Sequence, residues 1–435
     1  MKSLLDRIAN LVATQGSVLV RLITTIVVTR AIVQALGLSS YADLAAIQAA
    51  VGLISVMGNG VTGACVRYVL KHAEAAEFST VSQFITNSLV LVVALGLCMA
   101  GVIALLALLK PTYFGSVGPS FAFVMVVTAC CQLATAIFRT GNFFHERFVS
   151  SSIIQLTGQI TYLVLMLVML AYTEIGLWAI PISRLAADFL ALTLMWRLFR
   201  KLLPLVRLTS THISVRCLKS VLEFSGWMVF VYVNTYIASS GVLLLARPFA
   251  DDLEFSTLGI SLRVATSVAS LLTCFAFLTN PPIHKLIATG DHESAMPYVW
   301  WHFLAIGLSG IAVFSVILLQ GQNLLDIWLG KSLHPMATSS MCGFVFSLTV
   351  GVLASPVIAF YAATGRLRSY GLCCCVDTII TFGLLYTAIS CFGSRSFVAC
   401  CWLPGMVALT RICVCCYLLP LRLPDLNSLT WRNQT

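Results

Sequence analysis

An all-α membrane protein of about twelve transmembrane helices, arranged as two six-helix lobes, is the fold class that this sequence predicts. Three observations predict it. The first is composition. Of 435 residues, 59% are hydrophobic and 10% charged, with a mean hydropathy of +0.96. A soluble domain carries about 25% charge, and a soluble core of this size would lack the polar surface to cover it. The second is a series of apolar runs long enough to cross a bilayer, which takes about 20 residues each. The third is a doubling of sequence features about a basic divider. Soluble enzymes, secreted disulfide scaffolds and nucleic-acid binders are excluded at this step. No cleavable signal is expected, because the first apolar stretch is long, lacks a small-residue cleavage site and is followed at once by a second.

The predicted spans are 10–36, 42–69, 81–109, 119–139, 151–172 and 176–197, then 220–246, 258–280, 298–320, 337–361, 369–391 and 397–419. Several neighbours are joined by short connections, which makes them antiparallel hairpins. Gly and Pro mark the tight turns, as in Lys110-Pro111 and Asn280-Pro281-Pro282.

Placing the N-terminus in the cytoplasm puts seventeen basic residues in inner segments and four (Lys110, Arg247, Lys331 and Arg395) in outer ones. Positive residues collect on the cytoplasmic side, so both termini are expected inside. The same placement accounts for most of the net charge of +10, which is therefore a topology signal and implies no nucleic-acid partner.

The divider is the basic connection after span six. It sets an N-terminal lobe at 1–199, a cytoplasmic linker at 200–219, a C-terminal lobe at 220–420 and a cytoplasmic tail at 421–435. Thr140-Gly141 after span four recurs as Thr364-Gly365 after span ten, and Trp178 recurs as Trp402, both 224 residues on. Each Trp is followed closely by proline, Pro181 or Pro404. Six spans per half make the repeats parallel, related by a pseudo-two-fold axis along the membrane normal, with binding expected near the midplane.

Three spans carry polar stripes at helical spacing. Span one has Thr14, Ser17, Arg21, Thr24 and Thr25; span two has Gln48, Gly52, Ser55, Asn59 and Thr62; span eight has Ser256, Gly259, Arg263, Thr266, Ser267 and Ser270. Small and hydroxyl residues also serve helix–helix packing. The arginines favour a binding role, since an unpartnered charge at the bilayer centre costs about 2.5 to over 10 kcal/mol. Arg21 lies eleven residues into its span with no acid of comparable depth in spans one or two. A water-filled cavity lined by spans one, two and eight is the economical reading. Arg30, nine residues on, falls about 180° round the helix from Arg21, where it faces the cavity only if the helix bends and otherwise snorkels to the interface.

Arg184 and Asp188 stand four apart and can neutralise each other. Asp377 of span eleven and Arg411 of span twelve lie at similar depth, so they either pair or leave Asp377, with Thr378, Thr381 and Asn234 of span seven, to bind a coupling cation. The sixteen cysteines crowd into apolar helices without zinc-ligand spacing and read as small buried hydrophobes. No phosphate loop, Gly-x-Ser-x-Gly or metalloprotease motif occurs, and no loop is large enough for a catalytic domain.

The turn Arg30-x5-Leu36-Gly37-x3-Tyr41, the stretch Ile327-Trp328-Leu329-Gly330, the stretch Ala363-Thr364-Gly365-Arg366, and Pro282 with Asp291 occur in the order found in polysaccharide flippases. On these the chain resembles the polysaccharide transport branch of the multidrug/oligosaccharidyl-lipid/polysaccharide exporter superfamily, O-antigen repeat-unit flippases in particular. The likeness runs over the whole chain, carried by order and spacing. It implies a V-shaped central cavity, alternating access and translocation of an undecaprenyl-pyrophosphate-linked oligosaccharide across a bacterial cytoplasmic (inner) membrane.

The resemblance makes the chain a transporter, not an enzyme. It needs no cofactor beyond H+ or Na+ as coupling ion, and it has membrane lipids, a polysaccharide polymerase and a chain-length regulator as expected partners. Arg21 and Arg263 match the relatives' cavity arginines by helix and depth; span two offers Asn59 where the relatives have an arginine. The expected substrate contacts are Arg21, Arg263, Asn59, Thr24, Ser55 and Arg30, with Asp377, Thr381 and Asn234 as ion-coupling candidates. Guanidinium forks suit phosphate oxygens, and the stripes offer partners for sugars. A multidrug exporter of the same superfamily is the alternative, followed by a membrane-embedded polymerase or acyltransferase.

The charge asymmetry makes a direct test. Reporter fusions within 205–215 are expected to read cytoplasmic and those within 250–254 periplasmic; reversal of both overturns the twelve-span topology.

Overall fold

The computed structural model describes residues 2–109, 118–144, 148–288, 291–330, 333–364 and 367–418. Among them every regular element is helical. Ten runs are long and apolar enough to cross a membrane, and two of these, Gln15–Ala73 with 59 residues and Leu367–Cys415 with 49, are far longer than one crossing needs. Each of those two runs is a pair of antiparallel spans, which gives twelve.

The first long run, Lys2–Glu74, breaks at Gly37, where φ is 85° and ψ is 174°. That region is essentially closed to residues with a Cβ. It ends α1 (2–36) and starts α2 (38–74). This glycine is the one in the Leu36-Gly37 turn, so the motif has a plain steric cause.

The remaining helices follow the predicted order. α3 is Phe78–Leu109, and α4 is Gly118–Phe138, continuing after Arg139 as Thr140–Phe144. α5 is Phe148–Tyr172 and α6 is Ala179–Leu202. α7 is Val215–Tyr236, carried on through a π-helical turn, Ile237–Gly241, into Val242–Ala246. α8 is Asp252–Ala288, α9 His292–Leu329, and α10 Ala337–Leu353 with Ser355–Ala363. α11 is Leu367–Phe392 and α12 Phe397–Leu418, separated by the short turn Gly393–Ser396. The predicted tail, 421–435, lies outside the described residues.

Packing divides the chain into two compact units. One comprises Met1–Tyr236 with Asp251–Ser256, the other Ile237–Ala250 with Thr257–Thr435. In the first unit α2 and α7 run antiparallel in close register. The Tyr236 hydroxyl donates to the Ala49 carbonyl near one end, and the Tyr68 hydroxyl donates to the Ser220 carbonyl at 3.4 Å near the other. Between them a Cβ on Gly60 would stand 2.9 Å from the Ser225 carbonyl oxygen, so only glycine permits this approach. The connection before α7 is tied down by α3: buried Asn87 donates to the His212 carbonyl at 3.1 Å and accepts from the Ser214 amide at 3.2 Å, while Ser82 accepts from the Arg207 amide at 3.1 Å.

In the second unit α10 packs on α12 and on α9. Pro404 interrupts α12 and Pro356 interrupts α10. Both prolines remove a backbone donor inside a membrane helix. At Pro404 the Ser347 hydroxyl of α10 donates to the Cys401 carbonyl at 2.7 Å and accepts from the Gly405 amide at 3.0 Å. The carbonyl that loses its donor to Pro404 is that of Cys400; Ser347 bridges the next pair along, the Cys401 carbonyl and the Gly405 amide.

The sequence doubling has structural counterparts inside each unit. Thr140 donates to the Ile137 carbonyl at 2.7 Å, and Thr364 donates to the Phe360 carbonyl at 3.0 Å, each closing the end of its helix. Trp178 meets Phe121 with centroids 5.5 Å apart, and Trp402 meets Phe346 at 5.5 Å.

Glycine replacement tests the two backbone constraints. Gly37→Val is expected to cost roughly 1–3 kcal/mol, and Gly60→Val to lower the unfolding temperature by separating α2 from α7. Gly63→Ala, where a Cβ meets open space, should be neutral or stabilise by up to about 1 kcal/mol. Thermal unfolding in detergent, run on all three, should separate them in that order.

Candidate functional site

Exposed apolar residues mark the side of α1 that meets lipid. Val12, Leu19, Ile23 and Ile26 are each 40% or more exposed. At about 100° per residue they lie roughly 140–180° round the helix from Arg21. Arg21 is itself exposed. α1 therefore shows two open faces: one is apolar, and the other carries Arg21 with half-buried Ser17 and Thr25 beside it. Thr25 donates to the Arg21 carbonyl at 2.9 Å. Thr24 turns inward and is 3% exposed, its hydroxyl unpartnered among the described residues. The side chain of Thr14 lies outside the described residues.

The surroundings of Arg21 come from α4, α5 and α6. Arg184 donates from Nε to Asp188 Oδ2 at 3.0 Å, as their i,i+4 spacing predicts, and its guanidinium lies 5.1 Å over the Tyr162 ring. Gln132 donates to the same Asp188 oxygen at 2.7 Å, and Arg184 reaches Gln159 at 3.4 Å. Arg21 lies within electrostatic range of Arg184 and Asp188, and Arg139 within range of Arg21. Asp188 is thus the acid that sequence reading did not bring to Arg21, since it sits on another helix. Its Oδ2 is already taken by Arg184 and Gln132, and among the described residues Arg21 makes no ion pair.

Arg30 is exposed and falls on the apolar side of α1, with Ile23 and Ile26, not with Arg21. On α2, Asn59 is exposed while Gln48, Gly52, Ser55 and Thr62 are half-buried, so the predicted stripe occupies one partly open face. Thr62 donates to the Asn59 main-chain carbonyl at 3.1 Å.

In the second unit Arg263 is half-buried and, among the described residues, has no ion pair. Its carbonyl accepts from Thr266 at 3.0 Å and Ser267 at 2.8 Å. The stripe divides along α8. Ser256 is buried and donates to the Leu38 carbonyl at 2.6 Å, and Gly259 is buried, whereas Arg263, Thr266, Ser267 and Ser270 are half-open. The stripe therefore serves packing at one end and presents polar groups at the other.

Asp377 meets Arg411, Nη1 to Oδ2, at 3.2 Å. Arg411 is 8% exposed, also donates to Cys374 Sγ at 3.1 Å and lies 5.5 Å over the Tyr370 ring. Thr381 is buried, and the Thr378 hydroxyl is buried without a partner among the described residues. Asn234 is buried in the first unit, whereas Asp377 and Thr381 belong to the second. Sequence reading passed over Gln132, Gln159 and Arg139 around Arg21, and His302 on α9. An amide or imidazole deep in an apolar span was the available signal.

Among the described residues no group of three or more His, Cys, Asp or Glu is placed to hold a metal. No protein-family profile matches the chain. A curated relative, the uncharacterized membrane protein EpsK of Bacillus subtilis, is 24% identical over 361 residues, covering 78% of this chain and 67% of EpsK. The lipid II flippase MurJ, solved in an inward closed conformation, superposes with a TM-score of 0.70 at 14% identity, over 94% of this chain and 87% of MurJ. A substituted form of the Vibrio cholerae MATE transporter VcmN gives 0.69 at 11% identity, over 94% of this chain and 95% of that one. A MOP-superfamily transporter from Pyrococcus furiosus, described as having a binding pocket of reverse polarity, gives 0.58 at 15% identity over 93% and 97%. The chain has the twelve-helix, two-lobed fold of the MOP-superfamily transporters.

Proposed function

We propose that this membrane transporter is a flippase for a lipid-linked oligosaccharide whose headgroup carries a pyrophosphate. The undecaprenyl-linked repeat unit of an O-antigen or similar polysaccharide is the substrate class. Transfer runs from the inner to the outer leaflet of a bacterial cytoplasmic membrane, by ion-coupled alternating access, with both termini cytoplasmic. A polysaccharide polymerase is the natural consumer of the product.

One observation carries the reading. Arg21 is exposed on the face of α1 opposite its lipid-facing side chains, and the acid within its range is already bonded to Arg184 and Gln132. A guanidinium left this way in a membrane protein awaits an anion in water, because lipid contact would cost several kcal/mol. Arg263, half-buried in the second unit, is likewise without an ion pair among the described residues. The fork of each arginine suits phosphate oxygens, while Ser55, Asn59, Thr266 and Ser267 offer hydrogen bonds to sugar hydroxyls. The likeness to a lipid II flippase supports the same class of cargo. A cationic-drug exporter would need an acid open to its cargo, and Asp188 is committed elsewhere.

Arg21→Ala and Arg263→Ala should each cut transport about ten- to a hundredfold, the value of one charged contact, at near-normal membrane levels. Lysine should rescue in part. Arg184→Ala should instead lower the folded level, because it strands Asp188. Surface polysaccharide in a deletion strain, with protein level and cytoplasmic-leaflet intermediate measured alongside, reads all three. Normal export by both alanine variants overturns the cationic site.

The Asp377–Arg411 pair yields a second test. Removing one partner of a buried pair costs about 3–5 kcal/mol, so Arg411→Leu alone should deplete the folded protein. Adding Asp377→Asn should restore it. Transport in the double variant then decides the coupling role: full activity removes Asp377 as a cation site, and a folded but inactive protein assigns the coupling cation there.

A further inference from the structure

His302 of α9 is fully buried in the second unit, and both ring nitrogens are engaged. Nε2 lies 3.2 Å from the Val352 carbonyl and 3.2 Å from the Ser355 hydroxyl of α10. Nδ1 lies 2.7 Å from the Thr279 hydroxyl of α8. The cause of the first contact is Pro356. In an unbroken helix the residue-356 amide would donate to the Val352 carbonyl, and proline has no N–H. A carbonyl only accepts, so a protonated Nε2 fills the place of the missing amide; the other neutral ring, with the Ser355 hydroxyl donating to Nε2, would leave the Val352 carbonyl unfilled, and the Nε2–H form is assigned on that ground.

That fixes one nitrogen and leaves the other two states, both fully bonded. The Thr279 hydroxyl stands 2.7 Å from Nδ1 and 3.1 Å from the Phe275 carbonyl. In the neutral ring, Thr279 donates to the Nδ1 lone pair. When a proton binds that lone pair, Nδ1–H donates to the Thr279 oxygen and the hydroxyl proton turns to Phe275. One hydroxyl rotation absorbs the change, with no group left unpaired. A histidine serving only as a strut needs the first state alone.

We propose that His302 is a proton-binding site, in which loading of Nδ1 is accommodated by Thr279 and transmitted through Nε2 to the break in α10. The proton comes from water and no covalent bond other than N–H forms. A charge-assisted hydrogen bond is roughly twice as strong as a neutral one, so a loaded His302 grips the Val352 carbonyl and draws α9 onto α10, and an unloaded one relaxes that hold. From α8 the group facing the ring is Thr279, and from α10 they are Ser355 and Val352. Among the described residues no acidic or basic side chain of α8, α9 or α10 pairs with it. The side chains of His284 and Lys285, further along α8, lie outside those described. The site is separate from Asp377 and independent of what the protein carries.

Nitrogen-15 NMR of the full chain in lipid nanodiscs, with labelled histidine, reads the site without any transport assay. One of the seven histidines is expected to be an Nε2–H tautomer at pH 9 and doubly protonated by pH 5. His302→Gln keeps a donor for Val352 and an acceptor for Thr279, and its loss of that signal makes the assignment; His302→Asn serves if Gln fails to fold. Thr279→Val removes the acceptor for Nδ1–H and should require about tenfold more acid for half-loading. A single unchanging tautomer from pH 5 to 9, or a midpoint untouched by Thr279→Val, overturns the proposal and leaves His302 a fixed strut.

Discussion

In hydrocarbon every backbone donor and acceptor must find its partner within the protein, since no water is there to replace one that is lost. The second unit shows how strictly that holds. Among its prolines, Pro404 and Pro356 each have a side chain from a neighbouring helix bonded to the backbone beside them: Ser347 next to Pro404 and His302 at the carbonyl that Pro356 leaves open. These bonds fix which helices must be neighbours. α10 cannot leave α12 without losing the Ser347 bridge between the Cys401 carbonyl and the Gly405 amide, nor leave α9 without exposing the Val352 carbonyl. Where no proline intervenes, as along α2 and α7, glycine at position 60 allows backbone-to-backbone approach, and tyrosine hydroxyls add a second bond to carbonyls already used by the helix.

The same rule sorts the charges. Arg184 with Asp188, and Arg411 with Asp377, are neutralised pairs held by additional contacts. Arg21 and Arg263 are not paired among the described residues, yet each sits at a level of its helix where solvation must come from somewhere. The proposed function assigns these two arginines to an anionic cargo. Phosphate is the anion whose geometry their forks match best.

Much of the architecture was legible before any coordinates. Hydropathy located twelve spans because a bilayer imposes a length that soluble cores do not. The repeat was legible at Thr140/Thr364 and Trp178/Trp402 because the same local task, ending a helix or packing an aromatic, recurs in both units. Periodicity also placed Arg21 and Arg30 on opposite faces of α1, and the exposed apolar residues show which face is which. What stayed hidden was everything decided between helices distant in sequence. Asp188 lies 167 positions from Arg21, so no spacing rule could bring them together. Thr24 reads as part of the stripe but turns inward, because a step of three rotates a residue about 60° off the stripe axis. His302 had no visible role because its partner is a carbonyl, and Pro356, the reason that carbonyl is available, lies 54 positions away.

The Asp377–Arg411 contact joins consecutive helices, and that bears on how the chain enters the bilayer during synthesis. An arginine or aspartate at the centre of an inserting segment costs about 2.5–3.5 kcal/mol at the translocon. α12, leaving that channel by itself, would carry Arg411 unneutralised and the proline gap at 404 still open. Held back until α11 can leave with it, the hairpin presents to lipid a closed ion pair in place of two separate charges. The Ser347 bridge beside Pro404 forms only when α10 is also alongside. Three successive segments, α10 to α12, therefore have reason to partition as one step, and until the third has emerged the first two wait with their polar groups unmatched.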